Sequence, residues 1–190
     1  MSAQIDRPKR HLVTAQEYLR MGEAGVFAPD ARLELIEGEI FEMAPIHPPH
    51  AGAVITLNRV LVERTRDRAA VSVQNPVIAS ELSVPQPDFA LLKPRRDNYS
   101  REHPRRGDIL FVVEVADTTL ATDLRIKMPL YARGGIPEAW VVDVNEKVVH
   151  VFRGPGANGY RETFIARGEE QLKSVELPML RVRVAEIFPK

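Results

Sequence analysis

The chain has 190 residues, with 26 Lys and Arg against 26 Asp and Glu, five His and no Cys. That length suits one domain with a sizeable core. The absence of Cys excludes disulfide frameworks and thiolate metal sites and makes a reducing, cytoplasmic setting the default. Balanced charge excludes global attraction to nucleic acid or an anionic membrane, so any anion-binding surface has to be local, and no apolar run approaches the ~20 residues that span a bilayer.

Residues 1–13 read as a loose leader and residues 14–190 as a single domain. Thr14-Ala15-Gln16-Glu17 has the form of a capping box and predicts a short helix to about Met21, ended by Gly22 and Gly25. Arg32–Ile36 and Glu39–Met43 predict a hairpin around Glu37-Gly38. After a Pro- and His-rich loop, His50 to about Arg68 has helical periodicity. Its expected apolar face holds Ala51, Val54, Ile55, Asn58, Leu61 and Val62, with Arg59, Glu63 and Arg66 on another face. Val71–Gln74, Val77–Ala79 and Asp88–Leu92 follow as short strand-like runs, and residues 93–107 as a polar, basic loop. Ile109–Val115 is nearly unbroken apolar sequence, which predicts a strand buried on both faces.

Asp123–Arg133 predicts a helix stopped by Gly134-Gly135. Pro129 either moves the start of regular helix to near Lys127 or kinks it there. Ala139–Val144 predicts a second buried strand, with Lys147–Phe152 returning beside it and Tyr160–Ile165 a further strand. Val182–Phe188 fits either a strand or a short helix. The element order is that of an α/β domain, a mixed sheet flanked by helices.

Three charged residues stand out. Glu114 lies inside the apolar run, where an unpaired carboxylate is costly, so it has either a cationic partner or a metal. Asp88 opens a strand directly after Pro87, a place that also suits a turn Asp. Lys127 follows Asp123 by four positions, which suits an exposed ion pair. Together they allow another reading. Two carboxylates on neighbouring strands can hold a hard divalent cation, and an ammonium beside them can orient a water and stabilise developing charge. Phosphodiester hydrolysis uses that combination.

Pro87-Asp88 with Glu114-Val115-Ala116 resembles the PD-(D/E)XK nuclease pattern. More closely, Glu34-Leu35-Ile36-Glu37-Gly38-Glu39, Gln86-Pro87-Asp88, Val112-Val113-Glu114-Val115 and the run from Lys127 to Asp143 resemble the Uma-two family, a branch of that superfamily. The resemblance implies a restriction-endonuclease-like fold and a Mg²⁺-dependent DNA endonuclease, with Mn²⁺ as a possible substitute. It implies Asp88 and Glu114 as metal ligands, Lys127 as the catalytic lysine and Glu34 as a supporting acid. The superfamily pattern places its lysine two residues after the acid, where this chain has Ala116; Lys127 matches the lysine that the family draws from the following helix. Ala116 also leaves open a non-catalytic nucleic-acid-binding or interaction domain on the same fold. A hydrolase of smaller phosphoesters is a third reading.

Lys93, Arg95, Arg96, Arg101, Arg105 and Arg106, against Asp97 and Glu102, make the stretch between the Asp88 and Glu114 strands basic. It reads either as a solvated loop or as a phosphate-backbone contact. Tyr131 can share a helix face with Lys127 and touch a phosphate, or belong to the core. Trp140 reads as core and Asp143 as a turn cap. The Pro pair in His47-Pro48-Pro49-His50 argues against a helical zinc site and leaves His50 as a helix cap or a cleft residue. The expected partner is nucleic acid, chiefly DNA, with no membrane, and a homodimer suits the two-fold symmetry of duplex cutting.

Overall fold

The computed structural model describes residues 9–189; the first eight residues of the expected leader, and Lys190, lie outside the described residues. Helix α1 (Ala15–Glu23) begins at the capping box, with the Glu17 N–H donating to the Thr14 hydroxyl and the Thr14 N–H to the Glu17 carboxylate. Strands β1 (Leu33–Ile36) and β2 (Glu39–Glu42) pair antiparallel around Glu37-Gly38. Both turn residues have positive φ, 50° and 84°, as a two-residue hairpin turn of this hand requires. Space also fixes Gly38, because a Cβ there would lie 2.6 Å from the Cβ of Leu12. Val13 donates its N–H to the Gly38 carbonyl and Arg10 pairs with Glu39, so residues 10–13 are anchored on this hairpin.

Helix α2 (Pro48–Thr65) opens with two prolines, where missing N–H groups cost nothing. It buries Ala53, Leu57, Val60, Leu61 and Thr65. This corrects the expected face, of which only Leu61 is fully buried, while Ile55 is 72% and Val62 50% exposed. The Thr65 hydroxyl donates to the Leu61 carbonyl at 2.8 Å. The buried stripe lies ~100°, about one residue of helix, from the expected one, because apolar residues (Ala51, Ala53, Val54, Ile55, Leu57, Val60, Leu61 and Val62) occur on most sides of this helix and periodicity alone does not select between them.

Strands β3 (Ala70–Val73), β4 (Phe89–Leu92), β5 (Ile109–Ala116), β6 (Glu138–Asp143), β7 (Val148–Gly156) and β8 (Gly159–Arg167) form a six-stranded sheet in that order. All neighbours are antiparallel except β5 and β6. A parallel pair needs a crossover. Here it is helical throughout: α3 (Leu120–Thr122), a π-helical turn over Asp123–Lys127, then α4 (Met128–Arg133). The expected strand Val77–Ala79 makes a single isolated bridge, Ile78 with Arg105; its N–H groups go to two irregular segments, those of Val77 and Ala79 to the Pro85 and Ser83 carbonyls and that of Ile78 to the Pro104 carbonyl. At the C-terminus β9 (Gln171–Lys173) pairs with β10 (Arg181–Arg183), and a 3₁₀ turn, Val184–Glu186, follows.

Each sheet face carries its own core. On one, α2 packs over Phe89, Phe111, Val113 and Trp140; on the other, Met128, Leu130 and Tyr131 pack over Ala90, Val112 and Val141. Successive residues of β5 therefore feed opposite cores, which is why the strand reads as continuous apolar sequence. Glu138 is a fully buried carboxylate at the start of β6. It accepts hydrogen bonds from Trp140 Nε1 (2.9 Å), Arg153 Nε (3.1 Å), Ser174 Oγ (2.8 Å) and the Val175 N–H (2.9 Å). Removing it leaves Arg153 Nε and three further donors without this acceptor, while the rest of the guanidinium keeps Glu162 and the Lys173 carbonyl. Glu138→Ala is expected to cost ~3–5 kcal/mol of stability, measured by urea unfolding.

Candidate active site

The β4–β5 register pairs Phe89 with Val113, so the next pair outward is Asp88 with Glu114, at the edge of the ladder. Residues opposed in an antiparallel pair point to the same face. Glu114 thus projects from the apolar strand toward the crossover helices, and Asp88 stands beside it at the head of β4. Glu34, on β1, reaches the same place, and its carboxylate accepts the Gln86 N–H at 3.3 Å. Lys127 arrives from the π turn. Its Nζ lies 3.1 Å from Glu34 Oε2 and 3.3 Å from Glu114 Oε1. Tyr131, one turn on, donates its hydroxyl to Glu114 Oε1 at 2.5 Å. The structure therefore brings Glu34, Asp88, Glu114 and Lys127 together, and each is less than one-tenth exposed.

Asp88 is held from three sides. The Val115 N–H donates to Oδ2 at 2.8 Å, Gln74 Nε2 donates to Oδ1 at 3.0 Å, and His50 Nε2 faces Oδ2 at 3.1 Å. The His50 Nδ1 is buried without a partner among the described residues. Gln74 sits at a positive φ of 52°, an unfavourable conformation that places its amide on Asp88. Asp123, in the π turn, is buried and accepts from the Thr119 hydroxyl at 2.7 Å.

These surroundings push the acids apart. Burial raises the Glu114 carboxyl well above the usual range; Lys127 opposes this, while Asp123, Asp88 and Glu34 add to it. Burial also raises Asp123, to about 6, against the pull of Lys127. Burial raises Asp88 too, but the contacts with His50, Gln74 and Val115 outweigh it and leave the carboxyl below its ordinary value. Burial alone would lower Lys127; the carboxylates of Glu114, Glu34 and Asp123 hold it protonated instead. Burial and the Glu114 charge keep the Tyr131 phenol a donor.

Two expectations need correction. Tyr131 is fully buried, so it orients Glu114 rather than touching a nucleic acid. The basic loop leaves and re-enters the sheet at the other end of the strands. It joins the end of β4 to the start of β5, whereas Asp88 stands at the start of β4 and Glu114 near the end of β5. Five residues at ~3.3 Å each separate Asp88 from Lys93. Arg95 is taken up by Asp97 and Glu102 and lies 4.3 Å over the Tyr99 ring. Arg96, Arg101, Arg105 and Arg106 are exposed, in a loop whose two ends are anchored at that far end by the Lys93 N–H to Asp108 carbonyl bond.

The sequence marks Asp123 only as an exposed partner of Lys127 and Gln86 only as part of Gln86-Pro87-Asp88, and it does not mark Gln74. The Asp123, Lys127, Tyr131 spacing is the signal for Asp123, since all three share one helical stripe. Gln74 carries no such signal. Asp143 does cap its turn, accepting the Asn145 and Glu146 N–H groups at 2.9 and 3.1 Å.

A family model described as "Uma2: Putative restriction endonuclease" matches residues 15–185. No curated protein matches the chain. Among solved structures, the chain is similar to one described as "a putative nuclease belonging to DUF820 from Anabaena variabilis ATCC 29413". The TM-score is 0.72 at 16% identity, and the match covers 93% of this chain and 97% of that one. The likeness shows a shared nuclease-type fold.

The raised Asp123 carboxyl gives the metal-free protein a pH signature. Between its unfolded value of 3.8 and its native value of about 6, the native state binds the proton more tightly than the unfolded chain, so stability falls as pH rises through that window. The shift corresponds to a loss on the order of 3 kcal/mol. Glu114 contributes with the same sign, and Asp88 with the opposite sign below its ordinary range. Urea unfolding of wild type across this window should show the decline, and Asp123→Asn should make it shallower.

Proposed function

The chain belongs to the Uma2 family, and from that membership we propose that it hydrolyses phosphodiester bonds in DNA as a divalent-metal-dependent endonuclease. The observation that supports this reading above all is that Asp88 and Glu114 are opposed across two strands, and that Glu114 shares a lysine ammonium with Glu34.

The donor set suits a hard cation. Four carboxylates, those of Glu34, Asp88, Glu114 and Asp123, lie buried with a single lysine, which leaves an excess of negative charge that a divalent ion would neutralise. Among the described residues no three His, Asp or Glu side chains form a ready cage. That matches the habit of Mg²⁺, which takes one or two carboxylates and completes its shell with water and phosphate oxygens. Asp88 and Glu114 would hold it, with Mn²⁺ as a substitute. When bound, the ion would supply charge stabilisation at the phosphate and a more acidic bound water.

The chain's own groups have separable tasks. Lys127 sets a fixed positive charge where the attacking water and the developing phosphate charge meet. Glu34 holds that ammonium in place. Tyr131 aims Glu114, and Gln74, His50 and the Val115 N–H aim Asp88. A homodimer would present two such sites related by a two-fold axis, as the two strands of a duplex are.

The test is nicking of supercoiled plasmid with Mg²⁺, Mn²⁺ or EDTA. Wild type should nick only with metal. Glu114→Gln and Asp88→Asn, checked for folding by thermal melts, should lose nicking altogether. Lys127→Met should lose on the order of 10²–10³-fold, as expected for removal of one charge-stabilising group. Wild-type nicking by Glu114→Gln would overturn the assignment. Duplex binding without any nicking by wild type would leave a nucleic-acid-binding domain on the nuclease fold.

A further inference from the structure

Strand β8 ends the six-stranded sheet. Among the described residues, the backbone of Tyr160–Ala166 makes no hydrogen bond beyond its ladder with β7. Residues 161–165 are all exposed, with Phe164 38% and Ile165 46% accessible. The opposite edge, β3, is only four residues long and partly buried. Protein sheets usually blunt such an edge with Lys, Pro, a bulge or a covering segment. Gly159–Arg167 contains neither Lys nor Pro, and its charges are of both signs, Arg161, Glu162 and Arg167.

We propose that β8 is the interface of a homodimer, pairing antiparallel with β8 of a second copy across a two-fold axis normal to the sheet and centred on Thr163. The occupant follows from charge. Such an axis keeps each side chain on its own face, so only residues of like parity can be paired. Centred on Glu162, the pairing sets two carboxylates directly opposite each other. Centred on Phe164, it sets Arg161 opposite Arg167. Like charges so placed are destabilising. Centred on Thr163, it sets Thr163 against Thr163, Arg161 against Ile165 and Glu162 against Phe164, and no like charges meet. A register centred on Ile165 also avoids like charges but pairs only residues 163–167, whereas Thr163 is the midpoint of Gly159–Arg167 and lets the whole strand pair with its copy.

The chain has no Cys, so a single introduced thiol reports the register. In the proposed pairing Thr163→Cys faces its own copy, within the ~4.4–6.8 Å Cα separation of a disulfide. Ile165→Cys lies four residues along the strand from its copy, at ~3.3 Å per residue, well beyond that reach. Sedimentation should show wild type as a dimer. Mild oxidation should convert Thr163→Cys, and not Ile165→Cys, to a covalent dimer. Thr163→Lys, which sets two ammonium groups on the axis, should sediment as a monomer with an unchanged circular dichroism spectrum. Wild type sedimenting as a monomer at tens of micromolar, or equal cross-linking of the two Cys variants, would overturn the proposal. None of these readouts involves nucleic acid, so a protein that cross-links at Thr163 and cuts nothing overturns the nuclease reading alone.

Discussion

One buried ammonium among acids organises this protein. Lys127 touches Glu34 and Glu114 at 3.1 and 3.3 Å, and all three are buried. Two carboxylates and a cation removed from water are tolerated only when each is partnered. β1, β5 and the crossover must therefore close on the same point. Glu34 is held there by the backbone of Gln86, and Glu114 by the Tyr131 hydroxyl. The hairpin, the central strand and the helix are tied together by the groups proposed to act on a phosphate.

The crossover is shaped for this purpose. Pro129 has no N–H, and in a regular α-helix its ring would collide with the carbonyl of Arg125. The chain answers with a wider turn, in which the Met128 N–H reaches the Asp123 carbonyl. π turns of this kind are frequent at functional sites. Here the turn carries Asp123 and Lys127, and the α4 turn after it carries Tyr131, all toward β5. The local departure from helix and the site are two aspects of one segment.

Much of the fold was legible because its signals are local. The capping box started α1, Glu37-Gly38 turned the first hairpin, and continuous apolar sequence marked β5. Glu114 stood out because a charge interrupted that run. The roles expected of Asp88, Lys127 and Glu34 came from resemblance, since each also suits an ordinary place on a turn, a helix or a strand. Where reading failed, the missing information was spatial. Asp123 and Lys127 at i and i+4 look the same whether they face solvent or core. The basic loop lies between the two acids in sequence, yet a connection between antiparallel neighbours closes the end of the sheet away from them. Gln74 serves the site through a backbone conformation that composition does not encode.

The register across the sheet runs from Glu114 to Val141, His150 and then Ile165, so the acid cluster stands level with a point two residues beyond Thr163. With the sheet continued through paired β8 strands, seven strand spacings of ~4.8 Å and an offset of two residues on each side of the axis would set the two clusters ~36 Å apart. An axis normal to the sheet would keep both clusters on the same face of the continued sheet. That interval is about one helical turn of B-form duplex, ~34–36 Å. Laid across such a dimer, a duplex would meet the second cluster with the same side of its helix that it offers to the first.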